Sequence, residues 1–326
     1  MVFLFLQATS QPLPLDETST NSVHQPVLLA EVVAWLAPSE GSVVVDGTAG
    51  AGGHASALAR LVGTSGRLIG LDRDPEMLEL AGRAVEGLPV TLVNASYADL
   101  GKVLDRLEID GVDAILLDLG LSSDQLAWPH RGFSFAEDGP LDMRFDPRTR
   151  ESAADLVNDL AEKELADLIF EYGEERHSRK IAKRIVEARR VEPITTTARL
   201  AEVVRKGVPG KWGIIDPATR TFQALRIAVN AELEQLDQFL ADLAGYLNPG
   251  GKVAILSFHS LEDRRVKHSF RDDPGLTVLT RKPVTATDEE LATNPRARSA
   301  KLRVAQRCPD PIGPTTSPKT GTNRDR

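Results

Sequence analysis

From residue 43 onward the chain alternates short β-branched runs with stretches of helical periodicity, and the economical solution for such a pattern is a parallel sheet built from βαβ units. Strands are expected at 43–46, 68–72, 90–93, 114–118 and 253–258, with crossover helices at 55–62, 75–87 and 100–107. The expected fold is therefore a doubly wound α/β sheet. Between Asp118 and Val253 the strand pattern stops for more than 130 residues, while 162–172 and 178–190 carry amphipathic helical patterns. An inserted all-helical domain at 125–215 accounts for this, leaving 23–124 and 216–308 for the sheet domain. The return is expected through one long helix with Phe222, Leu225, Val229, Leu233, Leu236, Leu240, Leu243 and Leu247 on one face, stopped by Asn248-Pro249-Gly250-Gly251. Residues 11–22 are polar with two prolines and 310–326 are rich in Pro, Thr, Gly and charge; with the short apolar run at 2–6 assigned to the first of them, 1–22 and 309–326 are expected to be unstructured tails.

Composition narrows the function classes. With 39 Lys/Arg against 47 Asp/Glu the net charge is −8, and 41% hydrophobic residues suit a globular body rather than a disordered or membrane-embedded chain. The apolar run at 2–6 is too short to span a bilayer, so no membrane association is expected. Cys308 is the one cysteine, which rules out an intrachain disulfide or a multi-cysteine zinc site and fits a reducing cytoplasm. No metal-ligand cluster stands out. Charge is nonetheless local: 173–190 holds seven Lys/Arg against three Asp/Glu, and 261–307 eleven against seven. Two basic zones on an acidic body suit a polyanion contacted at defined places.

The first strand runs into a glycine-rich turn, Asp46-Gly47-Thr48-Ala49-Gly50-Ala51-Gly52-Gly53-His54, in which Gly50, Gly52 and Ala55 match a dinucleotide-type pattern. Strand two ends in Asp72, where an acid can accept from two ribose hydroxyls. Asp46 decides between ligands. A pyrophosphate needs backbone N–H groups and no adjacent carboxylate, whereas S-adenosylmethionine has no phosphate and carries an ammonium and a sulfonium that an acid can balance. The turn therefore favours a methyl donor over a nicotinamide dinucleotide.

In an open α/β sheet, ligands sit beyond the carboxyl ends of the strands near the switch point. Strand four ends Leu117-Asp118-Leu119-Gly120-Leu121-Ser122-Ser123, which brings a carboxylate and hydroxyls beside the donor methyl group. Asp118, Asp142, Ser122 and His259 are the catalytic candidates. Trp128, Arg131, Phe133 and Phe135 interleave aromatic rings with a guanidinium, as base stacking requires, and Phe258 is a further stacking candidate.

The blocks His24-Gln25-Pro26-Val27-Leu28-Leu29, Asp46 to His54, Leu71-Asp72-Arg73-Asp74-Pro75, Leu117 to Ser123, Gly139-Pro140-Leu141-Asp142-Met143-Arg144, Tyr172-Gly173-Glu174-Glu175-Arg176, Ser257 to Arg264 and Asn294-Pro295-Arg296-Ala297-Arg298-Ser299 follow one another across nearly the whole folded body. Together they resemble the bacterial 16S ribosomal RNA cytosine-N(4)-methyltransferases, the RsmH/MraW family. The resemblance implies a class I (Rossmann-like) methyltransferase sheet with a helical substrate domain. It also implies S-adenosyl-L-methionine as cofactor, and methylation of one cytidine amino group in the decoding region of 16S rRNA within the small ribosomal subunit. By the same resemblance, cofactor contacts fall on Gly52, Gly53, His54, Asp72, Tyr97, Asp118 and Gln125, and Asp46 joins them as the acid that balances the ligand's positive charge.

A cytosine amino nitrogen is a poor nucleophile because its lone pair is delocalised into the ring. Catalysis must then come from hydrogen-bond acceptors for the NH₂ group and from in-line positioning. Amino-methylating enzymes generally carry a proline pair and an aromatic at the end of strand four. Asp118-Leu119-Gly120-Leu121 has neither, so the acceptors are expected among the carbonyls of 118–120 and the carboxylate of Asp142, with His259 as an alternative base. Arg144, Arg176, Lys180, Lys183, Arg264, Arg296 and Arg298 are the candidates for RNA contact. The rivals are an NAD-dependent oxidoreductase, disfavoured by Asp46, a non-catalytic RNA-binding or assembly factor, and a DNA amino-methyltransferase, disfavoured by the missing prolines. A homodimer is a candidate assembly.

Overall fold

The computed structural model describes residues 25–149, 151–208 and 216–309. Both expected tails, 1–22 and 309–326, lie outside them except at residue 309. Among the described residues seven strands form one sheet: β1 (Val43–Asp46), β2 (Arg67–Asp72), β3 (Val90–Asn94), β4 (Val112–Asp118), β5 (Leu247–Ser257), β6 (Leu276–Val278) and β7 (Lys301–Arg307), in the order β3-β2-β1-β4-β5-β7-β6. The first five pair in parallel, and β7 runs antiparallel to both β5 and β6. The strand order reverses between β1 and β4, where Asp46 is level with Leu116, and Asp118 is level with Leu256 of β5. The ends of β1, β2, β4 and β5 thus open on one crevice.

The alternation of side chains across the strands divides the core in two. Val45, Ile69, Leu71, Ile115 and Leu117 face Leu100, Leu236, Phe239, Leu243 and Phe270, while Val44, Leu68, Ala114 and Leu116 face Val32, Leu36, Leu58 and Val62. A third cluster belongs to the helices between β4 and β5: Ala153–Asp159, Glu162–Gly173, Ser178–Arg189, Thr197–Gly207 and Ala218–Asn230.

The expected single return helix is two helices. Ala218–Asn230 stops at Ala231, which has φ 47° and ψ 43°, and Glu232–Tyr246 begins beyond it. Phe222 and Leu225 join the helical cluster, whereas Leu236, Leu240 and Leu243 cover the sheet. The break redirects one continuous apolar periodicity onto two cores. Asn230 anchors it: its side chain is buried, donates to Met143 O at 2.7 Å and accepts from Phe145 N at 2.8 Å. Its own carbonyl accepts from Arg73 Nη1 at 2.7 Å and Gln235 Nε2 at 2.8 Å.

Candidate active site

The glycine-rich turn crosses the crevice between β1 and the helix Gly53–Val62. Gly52 has φ 89°, and a Cβ there would lie 2.9 Å from Ala84 Cβ and 3.0 Å from Ala81 Cα. At Gly53 a Cβ would meet Pro26 Cγ at 2.4 Å, so both positions are closed to side chains. The crevice is lined by Gly47 to Gly50, Gly53, His54, Asp72, Tyr97, Asp118 to Ser122 and Gln125. Arg73, Phe145, Leu236, Glu232 and Glu262 complete the wall.

Asp72 Oδ2 accepts from Gly50 N at 2.8 Å and Oδ1 from Asp74 N at 2.9 Å. The glycine turn is therefore fastened to the end of β2, and the carboxylate keeps further lone pairs for hydroxyls in the crevice. Tyr97 stands in a short turn after β3 and packs edge-on against Phe239. Burial pushes its phenol well above the ordinary range. Asp46 is fully buried under the turn, accepting from Thr48 N at 3.2 Å through Oδ1, while its Oδ2 has no hydrogen-bond partner among the described residues. Asp118 Oδ1 is likewise without one, and its Oδ2 lies 3.5 Å from His54 Nδ1. His54 Nε2 lies 3.1 Å from Val27 O, which fixes the proton on Nε2 and leaves Nδ1 as the acceptor in a neutral ring.

Burial raises all three acids. Asp72 is pushed up to about 6, Asp46 to about 7 with Asp72 adding repulsion, and Asp118 to about 8 with Asp46 and then Glu262 adding to it. An unpartnered carboxylate oxygen in the crevice, on Asp118, and another beneath it, on Asp46, fit a cationic ligand. Because only the ionised acids attract it, binding of S-adenosylmethionine is expected to tighten roughly tenfold between pH 6 and pH 8 and to release protons. Titration calorimetry in buffers of different ionisation enthalpy measures both; a pH-independent Kd with no proton release contradicts the assignment. For folding the sign is opposite. Acids raised on folding stabilise fully below their unfolded values near pH 4, and that contribution is lost as pH rises through 6 to 8, so the ligand-free protein weakens across this window.

Several expected site residues hold structure instead. Ser122 caps the helix Ser123–Ala127, accepting from Gln125 N at 3.0 Å while Gln125 Oε1 accepts from Ser122 N, so it is a capping residue rather than a catalytic one. Gln125 Nε2 donates to the buried Asp74 at 2.8 Å. Arg131 is not a surface cation: it is buried, pairs with Asp74 at 2.8 Å and Glu76 at 3.1 Å, and donates to the carbonyls of Arg144 and Phe145. Asp142 is outside the crevice lining and clamped by Arg144 at 2.6 and 2.9 Å. Burial works against its charge, but those bonds outweigh it and hold the carboxyl below the usual range. The pair closes the loop, with Arg144 also donating to Pro147 O and Thr149 O, so neither is free for RNA. Phe133 is buried in the helical cluster against Phe145, and Phe135 packs on Phe222. Trp128 remains half-buried beside His130. Arg296 donates to Ser123 Oγ and Leu121 O, fastening the segment after β4, and burial lowers its pKa. Arg298 is exposed.

His259 caps the helix Ser260–Asp272 through Nδ1, which accepts from Glu262 N at 3.4 Å. Its Nε2 lies 3.1 Å from Glu262 Oε1 without hydrogen-bond alignment. Glu232, His259 and Glu262 come together with potential ligand atoms within 4.8 Å of one another, a grouping not visible in the sequence. With Nδ1 accepting, Nε2 carries the proton and has no lone pair for a metal, and Arg226 occupies both oxygens of Glu232 at 2.7 and 2.9 Å. The group is a charge network at the crevice wall. Sequence reasoning did not single out Glu232 or Glu262, because the helix break at Ala231 that presents Glu232 has no local signal.

Arg176, Arg179, Lys180, Lys183 and Arg184 form an exposed cationic face on and beside the helix Ser178–Arg189. Arg184 pairs with Glu187 at 3.0 Å, and Arg264 with Glu174 at 3.4 Å. Phe258 is half-buried beside the turn after β4, with Cδ2 3.6 Å from the position of a Cβ on Gly120.

The family model described as the MraW methylase family matches residues 21–308. A protein of Syntrophotalea carbinolica named Ribosomal RNA small subunit methyltransferase H is 49% identical over 306 residues, covering 87% of this chain and 98% of its own length. One of the same name from Deinococcus radiodurans is 50% identical over 291 residues, covering 89% of this chain and 91% of its own. With the match spanning the glycine turn, the acids at three strand ends and the helices between β4 and β5, the chain belongs to the MraW methylase family.

Proposed function

We propose that this protein transfers a methyl group from S-adenosyl-L-methionine to the N4 amino group of a cytidine in 16S rRNA, within the small ribosomal subunit in the cytoplasm. The observation that carries this is one crevice holding, side by side, a cofactor half and an acceptor half. The first consists of the glycine turn with Asp72 and Asp118, and the second of the turn Leu119 to Ser122 with Glu262. The relatives' name supports the RNA as target. Among the described residues no helix is long and apolar enough to cross a membrane.

S-adenosylmethionine supplies an electrophilic methyl group on a sulfonium. The chain's own residues bind and orient. Asp72 takes the ribose hydroxyls, Asp118 and Asp46 balance positive charge, Tyr97 covers the adenosine side, and Gly52 and Gly53 let the backbone close on the ligand. The helical domain, for which we propose 125–215 with Ala218–Asn230 as its last packing element, brings RNA to the crevice mouth. Arg176, Arg179, Lys180 and Lys183 contact phosphates, with Arg264 and Arg298 as further cations on the sheet side. The target base must leave its stack, which costs least in irregular or single-stranded RNA. Incubation of the protein with small subunits lacking the modification and methyl-labelled cofactor is expected to label 16S rRNA. Tight cofactor binding with no transfer to RNA would favour an assembly factor without catalysis.

A further inference from the structure

The acceptor half of the crevice contains a carboxylate whose position answers the need of an amino nucleophile. Because Asp118 is level with Leu256 and Leu119 N donates to Leu256 O at 3.1 Å, the chain leaving β5 emerges directly beside the turn leaving β4. Its first helical turn presents Glu262, which is buried yet lines the crevice. Five carboxylates stand in or under this crevice, and their engagements separate them. Asp72 is tied to Gly50 and Asp74 on the cofactor side. Asp46 and Asp118 lie at the glycine turn. Glu232 gives both oxygens to Arg226. Glu262 gives Oε2 to the N–H groups of Phe258, at 2.9 Å, and His259, at 3.3 Å, while among the described residues Oε1 has only the misaligned His259 Nε2 at 3.1 Å.

Resting on the methyltransfer reading above, we propose that Glu262 is the catalytic carboxylate for the acceptor: Oε1 accepts a hydrogen from the cytosine N4 amino group and takes its proton as the methyl group arrives. His259 and Arg226 act as positioning residues that keep Glu262 aimed and charged. In the step, the N4 lone pair forms the N–C bond as the C–S bond breaks. The C–S pair stays on sulfur, which becomes a neutral thioether. The positive charge created on N4 is discharged when one N4 proton passes to Glu262 and then to water.

The electrostatics agree with this division of labour. Burial opposes the charge on Glu262, but His259, Arg226 and the N–H of Phe258 outweigh it and hold the carboxyl below its ordinary value. A weak base suffices, because an N-alkylated amino nitrogen that has spent its lone pair is strongly acidic. The low value also keeps the carboxylate charged over the neutral range, where its field favours the developing cation.

Glu262→Gln tests the proposal, since the amide still accepts from Phe258 N and preserves the cap but removes the charge and the proton acceptor. With full-length protein and unmodified small subunits, kcat is expected to fall at least 100-fold, with the Kd for S-adenosylmethionine and the KM for subunits each within threefold. Glu262→Asp, which keeps the charge but withdraws it by one methylene, is expected to lose at least tenfold in kcat. Tm is read for both, so that a folding defect in one leaves the other as the decisive variant. Wild-type turnover with kcat within threefold in a folded Glu262→Gln or Glu262→Asp variant overturns this proposal alone. No N4-methylcytidine from the wild type overturns the functional reading and this proposal with it.

Discussion

Replacing Asp74 with alanine is expected to cost about 3–5 kcal/mol of stability, the usual loss when one partner of a buried ion pair is removed. Asp74 is fully buried and accepts from Arg131 Nη2 and Gln125 Nε2, both at 2.8 Å, while its other oxygen caps the helix Pro75–Ala84 through Glu76 N. Without it the buried guanidinium keeps only Glu76, which is half exposed, and two carbonyls. At roughly 2–4 °C per kcal/mol for a domain of this size, Tm should fall by roughly 6–20 °C. Calorimetric scanning reads this directly, and a Tm within about 2 °C of wild type contradicts the buried-pair account. The effect extends beyond stability, because Arg131 and Gln125 fix the segment after β4 from which the acceptor turn is built.

The second large effect concerns Asp72. Asp72→Ala is expected to weaken S-adenosylmethionine binding at least tenfold, and about a hundredfold where both ribose hydroxyl bonds are lost at about 1.5 kcal/mol each. The carboxylate also receives Gly50 N and Asp74 N, so its removal loosens the turn that closes on the ligand. Asp72→Asn separates the two contributions. The amide keeps one acceptor oxygen and should recover part of the affinity, whereas an unchanged Kd in a folded Asp72→Ala protein removes Asp72 from the cofactor site.

What the chain discloses before folding depends on how local the deciding interaction is. The first four strands are legible because each is a β-branched or aliphatic run ending at a turn signal, and the glycine turn with Asp46 and Asp72 carries its chemistry in adjacent residues. β7 is hidden because Arg303 stands buried in its middle, paired with Asp263 at 2.7 Å from the helix after β5. The break at Ala231 is hidden for a similar reason. Alanine favours helix, and the left-handed turn is imposed by Asn230, whose partners Met143 and Phe145 lie more than 80 residues earlier. Arg131 looks like a solvent-facing cation because its carboxylates, Asp74 and Glu76, lie more than 50 residues earlier and are brought to it only by the fold. Glu262 escaped notice because its motif, Ser257-Phe258-His259-Ser260-Leu261-Glu262, reads equally well as an ordinary helix start, which in part it is.

The most direct test of the account is the identity of the methylated nucleoside in 16S rRNA after reaction of unmodified small subunits with the wild-type protein. A crevice that sets a carboxylate beside an amino nucleophile predicts N4-methylcytidine, with the added methyl group on the base fragment in mass spectrometry. A methyl group on the ribose, on a ring carbon or on another base would contradict it.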